Sequence, residues 1–387
     1  MQNFIFHNPT KIIFGKGEVK RLGKETAKFG KKALLVYGKS SILKNGVYDQ
    51  VTTSLKQAGV AFVDFPGVKS NPVLSHVEKG IELARKENVD VVLGVGGGSV
   101  IDSAKVIAAG VKVDHSVWDF FTYTQTVKDA LPILAVATVS ASASEMNNGA
   151  VLTKEDCCYK FGMASRYFQP RVSILDPSTL FSLDKEYSAY SSIDAIAHML
   201  EAYFNTSANS TILQDRLNES LIKTVMESTD VIMKKPDDYD ARANVMWASV
   251  VGFNGITTAG MGFSAFPAHM IEHALSALYD IAHGAGLSIV LPAWMIWARE
   301  EKKDRLARFA REVFCVTIKD NLKAAIEGTE RLKAWFVSIG APVTLKDARI
   351  PENDIEKITD NALNNAQMWG MTNYTKEVIA EILAKAK

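Results

Sequence analysis

Cysteine is scarce in this chain, with three residues, Cys157, Cys158 and Cys315. An odd count with one adjacent pair argues against a disulfide framework, and no C-x-x-C pair is present to build a thiolate zinc site. Long apolar runs are missing too: none reaches the roughly 18 residues that a membrane span requires. The first residues, Met-Gln-Asn-Phe-Ile-Phe-His7, lack the basic head and apolar core of a signal peptide, so the expected location is cytoplasmic. Charge of one sign is lacking as well. The net charge of +1 gives no reason to expect nucleic acid or an anionic membrane as a partner. What remains, at 47% apolar and 22% charged residues, is an ordinary globular composition, and 387 residues suffice for about two to three domains.

The first half alternates strand-like and helix-like runs. Strands are expected at Lys11–Phe14, Ala33–Tyr37, Ala61–Phe65, Val89–Val95, Pro132–Ala137, Val151–Thr153 and Arg171–Leu175. Amphipathic helical stretches at 46–58 and 72–87, and a helix opening near Ser99, fall between them. Such alternation indicates βαβ units and a parallel sheet covered on both faces. Beyond about 180 strand signals nearly vanish. Helical patterns follow at 186–204, 208–234, 239–258, 265–279, 285–300, 302–315, 320–338 and 352–364. The expected organisation is an α/β dinucleotide-binding domain over 1–180 and an all-helical domain over 181–387.

The strand ending at Val95 runs into Gly96-Gly97-Gly98-Ser99 and then a helix containing Asp102 and Lys105. Glycines let a backbone approach a phosphate, and the free amides and dipole of a helix start stabilise its charge. The pattern is neither Walker A nor a full G-x-G-x-x-G, since Ser99 replaces the third glycine. A second turn, Gly38-Lys39-Ser40-Ser41, offers a lysine and two hydroxyls where an NAD enzyme commonly places a carboxylate for the ribose 2′-hydroxyl. That chemistry favours NADP over NAD. Thr138, Ser140, Ser142 and Ser144 follow the strand ending at Ala137, at the end of a sheet where ligands bind.

Histidines converge in the second half. His269 and His273 stand four apart and share a helix face, and His283 follows at a Gly-rich helix end. Upstream, Asp194 and His198 are also four apart, with Glu201 continuing the stripe, on a helix that is otherwise apolar nearly all round and therefore buried. One histidine in such a place is most simply a hydrogen-bonded core residue. A carboxylate and several imidazoles together need a stronger partner. Asp194, His198, His269 and His283 make a one-oxygen, three-nitrogen set suited to Fe²⁺, Zn²⁺ or a similar ion. His273 is placed for a supporting or proton-relay role, and Glu201 either for orienting a ligand or for a surface or capping role.

Three function classes compete for these features. The stretch from His269 to His273 matches the H-x-x-E-H protease pattern, which explains neither Asp194 and His198 nor the glycine turn. A metal-dependent cyclase or lyase with a nicotinamide cofactor shares both halves. It would need several Lys and Arg for a polyanionic substrate, whereas the nearby segments offer Phe253, Met261, Phe263, Phe266 and Met270. The preferred reading is a metal-assisted oxidoreductase, with the cation polarising the substrate oxygen and a nicotinamide carrying the hydride.

Across its whole length the chain resembles the iron-containing (group III) alcohol dehydrogenases, and within them the butanol dehydrogenase-like branch of alcohol/aldehyde reductases. The resemblance lies in Phe6-His-Asn-Pro-Thr10, Gly94 to Lys105, Asp194-x-x-x-His198, His269-x-x-x-His273, and Leu275 to Gly284. It implies a dehydroquinate synthase-like fold, with a Rossmann-like α/β domain before an all-α domain, a homodimer, and interconversion of primary alcohols and aldehydes. It also implies one Fe²⁺ or Zn²⁺ on Asp194, His198, His269 and His283, with His273 as catalytic proton relay. For the cofactor it implies pyrophosphate at Gly97, Gly98, Ser99 and Asp102. The adenosine end would lie near Gly38, Ser40 and Asn71, joined by Ser41 of the same turn, and the nicotinamide half near Thr138, Ser142 and Lys160. One departure stands out: where the family reads Ser/Thr-Gly-Ser/Thr-Glu, this chain has Ser142-Ala143-Ser144-Glu145. If that glycine requires a positive φ, a methyl group there introduces strain.

Overall fold

The computed structural model describes residues 1–208 and 210–387. Contacts divide the chain into two compact units. One comprises His7–Leu183 with Pro236–Met246, and the other Met1–Phe6, Asp184–Lys235 and Trp247–Lys387.

The first unit is built on β1 (Lys11–Phe14), β2 (Lys32–Tyr37), β3 (Ala61–Phe65), β4 (Val91–Gly96), β5 (Ile133–Ala137) and β8 (Val172–Leu175), joined in the order β1-β8-β5-β4-β2-β3. Every pairing in this sheet is parallel. The central strands β4 and β5 are buried at every residue, as apolar strands covered on both faces must be. The chain steps outward from β2 to β3 and then returns to lay β4 on the other side of β2. The direction of growth therefore reverses between β2 and β4, the kind of switch point where open α/β sheets bind ligands beyond their strand C-termini. Register brings those ends level: Tyr37 pairs with Val95 and Gly96 with Ala137. The segment expected as one strand at Val151–Thr153 is an antiparallel hairpin instead, β6 (Gly149–Lys154) with β7 (Tyr159–Ala164). The second arm escapes sequence reading because Lys160 and Gly162 break its apolar pattern.

The second unit is a helical bundle. Its central members are Lys185–Phe204, Ile212–Lys234, Pro267–Tyr279, His283–Ala298, Lys303–Phe314, Asn321–Ser338 and Ile355–Met368. A closing helix, Lys376–Ala384, was not foreseen. Helix Lys185–Phe204 is buried from Ser191 to Phe204, and His283–Ala298 is buried from Gly284 to Met295, so over these stretches two helices of the bundle have no wet face. Among the described residues no helix is long and apolar enough to cross a membrane.

Candidate active site

Asp194 sits in the middle of the bundle core, 4% exposed, and three imidazoles gather around its Oδ1. His198 Nδ1 lies 3.5 Å away, His269 Nε2 3.6 Å and His283 Nε2 3.6 Å. Ligands about 2.0–2.1 Å from a tetrahedral cation stand roughly 3.4 Å from one another, so the spacing is that of a coordination shell. The hydrogen-bond inventory agrees. Asp194 Oδ1, His198 Nδ1 and His269 Nε2 are buried without a hydrogen-bond partner, which native interiors rarely tolerate. A divalent cation fits these donors.

The imidazoles are oriented from behind by carboxylates. His269 turns Nδ1 to Glu201 and His283 turns Nδ1 to Glu272, so both present Nε2 to Asp194. Such outer carboxylates fix the ring and its tautomer. Glu201 has a second task. Helix Pro267–Tyr279 begins at Phe266, which offers no capping side chain. Glu201 accepts from the N–H groups of Ala268 at 2.5 Å and His269 at 3.2 Å in its place. The helix that carries His269 is thus capped by the helix that carries Asp194 and His198. Glu272, fully buried, also accepts from Ser276 Oγ. With both oxygens engaged, it is not the free base that an H-x-x-E-H protease would require.

Charge follows geometry. Burial opposes ionisation of Asp194, but the surrounding imidazoles outweigh it and hold its carboxyl well below the usual range. Burial pushes His198 down to about 3, which leaves its ring neutral as a ligand must be. Burial also acts against a proton on His269, but Glu201 and Asp194 overcome it and raise that group to about 9.

Aromatic rings line the cluster. Phe253 stacks on His198 with centroids 4.0 Å apart, Phe266 meets His269 edge-on at 5.7 Å, and Trp369 meets His273 edge-on at 5.1 Å. The His273 ring is 5.6 Å from that of His283 and belongs with Glu272 and His283 to a second acidic–imidazole grouping. His283 joins the two groupings, facing one through each ring nitrogen.

In the α/β unit, Gly97 precedes helix Gly98–Gly110, whose N-terminus has no side-chain cap. A Cβ on Gly98 would come within 2.2 Å of Ser142 Oγ, and one on Gly97 within 3.0 Å of Val139. The glycine turn therefore lies flush against the hydroxyl-bearing segment after β5, and Thr138 N–H donates to Gly96 O at 3.0 Å. Uncapped amides beside small residues suit a diphosphate. Gly38, Ser40 and Ser41 lie on the turn after β2, with both serines exposed. Asn71 and Lys160 are buried, the first beside the β6 edge, where Thr153 N–H donates to Pro72 O, and the second opposite Thr153 on β7. Asp102 directs both oxygens inward, to Ser144 Oγ and Val151 N–H. Ala143 has φ +50° and is fully buried, so the methyl group does occupy a left-handed position.

Sequence reasoning passed over two residues. Glu272 figured only in the protease pattern, although a carboxylate on an apolar helix between two histidines was a signal. Lys105 lies fully buried in the helix Gly98–Gly110, and a lysine among Val, Ile and Ala was the clue there.

A parallel sheet with a glycine turn, and a helical bundle with an O/N₃ cluster, are the two halves expected of a metal-dependent enzyme that uses a nicotinamide cofactor. Residues 9–177 match the family described as iron-containing alcohol dehydrogenase, and residues 188–387 its Fe-containing C-terminal family. The chain is 40% identical to the probable NADH-dependent butanol dehydrogenase 2 of Bacillus subtilis, covering 99% of this chain and 98% of that one. It is 34% identical to the NADPH-dependent aldehyde reductase YqhD of Escherichia coli, covering 96% and 95%. Among solved structures, the NADH-dependent butanol dehydrogenase A of Thermotoga maritima superposes with a TM-score of 0.96 at 45% identity, covering 100% and 99%. The chain belongs to the iron-containing alcohol dehydrogenase family and is an alcohol/aldehyde oxidoreductase that works with a nicotinamide cofactor and a metal.

Proposed function

We propose that the enzyme interconverts short primary alcohols and their aldehydes, with Asp194, His198, His269 and His283 holding one Fe²⁺ or Zn²⁺. The observation that carries this reading is the convergence of three imidazole nitrogens on Asp194 Oδ1, each 3.5–3.6 Å away. When bound, the cation stabilises negative charge on the substrate oxygen while the nicotinamide accepts or supplies hydride. The protein's own part is positioning. Glu201 and Glu272 aim the ligand rings, and Phe253, Phe266 and Trp369 give an alkyl chain an apolar wall. His273 exchanges the substrate-hydroxyl proton with solvent. The named relatives act on butanol or reduce aldehydes, in keeping with this substrate class.

The α/β unit is proposed to bind the cofactor: pyrophosphate at Gly97, Gly98, Ser99 and Asp102, adenosine near Gly38, Ser40, Ser41 and Asn71, and nicotinamide near Thr138, Ser142 and Lys160. The exposed Lys39 beside two serines favours the 2′-phosphate of NADPH. The butanol dehydrogenase relatives, named as NADH-dependent, favour the other cofactor. The ratio of kcat/KM for NADPH and NADH decides between them. We also propose a cytoplasmic homodimer. Phe4, Ile5 and Phe6 are 51%, 96% and 46% exposed in the same unit as Phe263 at 66%, an apolar surface that a second copy could cover.

His269→Ala should abolish metal retention and turnover together. His273→Ala should retain the metal, by elemental analysis, and lose rate. Loss of metal from His273→Ala would refute the assignment of ligands.

A further inference from the structure

Helix Gly98–Gly110 carries two charged side chains in an apolar stretch, and neither faces water: Lys105 is 0% exposed and Asp102 8%. A buried charge is tolerated only where it is hydrogen-bonded, so the partners explain the residues. Lys105 Nζ donates to Asn147 O at 3.1 Å, Asn147 Oδ1 at 3.1 Å and Gly149 O at 2.7 Å. An ammonium has three N–H donors, and all three are spent on one loop. Asp102 accepts from Ser144 Oγ at 2.5 Å and from Val151 N–H at 3.0 Å. Within the loop, Asn147 Nδ2 donates to Ser142 O at 2.9 Å. The segment from Ser142 to Val151 is thus fastened along the helix whose first turn is the glycine turn.

Ala143 lies inside the fastened span with φ +50°. A residue with a Cβ disfavours that conformation, which persists only where the surroundings over-determine it. The same loop places Ser142 directly against Gly98. Glu145 adds to the picture. It is buried with Oε1 unpartnered, and the cations and dipoles around it do not offset burial, which pushes its carboxyl up to about 7 despite Lys105.

We propose that Lys105 is a positioning residue for the nicotinamide cofactor. Its ammonium holds the 142–149 loop, with Ala143 left-handed, against the phosphate-binding glycine turn. The proposal rests on the reading that the cofactor occupies Gly97–Ser99 and Ser142.

The test is a fluorescence titration of the metal-loaded protein with reduced cofactor, alongside metal content and far-UV circular dichroism. Lys105→Met should raise the cofactor Kd about tenfold, the equilibrium cost of one left-handed alanine, with metal content and dichroism unchanged. Ala143→Gly alone should leave Kd within about twofold. Added to Lys105→Met, it should recover most of the lost affinity, because glycine takes a positive φ without penalty. A merely structural lysine would not be rescued in this way. Asn147→Ala removes one of the three acceptors and should raise Kd about threefold, again recovered by Ala143→Gly. An unchanged Kd in Lys105→Met overturns the proposal, as does a loss that Ala143→Gly leaves in place. If Lys105→Met does not fold, Asn147→Ala decides by the same two criteria. Gly98→Val, whose side chain would run into Ser142, addresses the reading beneath: undiminished cofactor binding there overturns the site assignment itself.

Discussion

Glu272 engages Ser276 Oγ with one oxygen and His283 Nδ1 with the other. Glu272→Gln keeps the shape but replaces an anionic acceptor with an amide, so it should weaken metal binding about 10- to 100-fold. Competition with a chromogenic chelator measures this, and an unchanged affinity would remove Glu272 from the metal site. Glu145 supports a prediction of a different kind. Its folded-state pKa, raised by burial to about 7 from 4.5, means that between those pH values the folded chain keeps a proton the unfolded chain has released. Stability therefore falls as pH rises through that window, by about 1.4 kcal/mol per unit at most. Lys105, lowered to about 8 by burial, acts in the opposite direction and only above that pH. The melting temperature of Glu145→Gln should gain on the wild type between pH 5 and pH 7, and parallel curves would contradict the assignment. At this scale the sequence revealed residues that are rare and out of place: histidines and an aspartate in apolar helices. It did not reveal who faces whom, because the pairing of Glu272 with His283 or Lys105 with Asn147 depends on tertiary approach rather than spacing.

Elements converge on the Asp194 cluster only because two glycines permit it. A Cβ on Gly284 would lie 2.0 Å from Tyr190 O, and one on Gly286 2.6 Å from Glu272 Oε1. The first glycine lets helix His283–Ala298 start against the backbone of Lys185–Phe204, and the second leaves room for the carboxylate that orients His283. Gly284→Ala should cost about 3 kcal/mol, since backbone rather than a flexible side chain must move, and should displace His283 from the cluster. Denaturant unfolding and metal content check the two halves, and a fully loaded, equally stable variant would mean that the helices can separate without consequence. Helices were readable because their apolar residues recur at helical spacing over three or more turns. A capping role was open to Glu201 from the sequence, but its target was not readable, since nothing near Phe266 hints that its helix is capped from a residue more than sixty positions away.

The chain as a whole divides into two compact units, each drawing on more than one stretch of sequence, whereas the alternation of strands and helices followed by helices alone pointed only to a boundary near 180. Loading with metal should affect the units unequally. Asp194 Oδ1, His198 Nδ1 and His269 Nε2 all lie in the helical unit and have no other partner, so a cation that binds the folded form alone stabilises that unit by mass action. At a hundredfold excess over Kd the gain is about 2.7 kcal/mol, or roughly 5–10 °C for a unit of about 200 residues. The tryptophans allow the effect to be seen. Of six, Trp247, Trp294, Trp297, Trp335 and Trp369 belong to the helical unit and only Trp118 to the α/β unit, so tryptophan emission reports mainly on the bundle. Stripping the metal should lower the melting temperature read by emission, and restoring Fe²⁺ or Zn²⁺ should recover it. His269→Ala should melt at the stripped temperature with or without added metal, whereas His273→Ala should still respond. An emission melt that ignores both chelator and added metal would mean that the buried donors are satisfied in some other way.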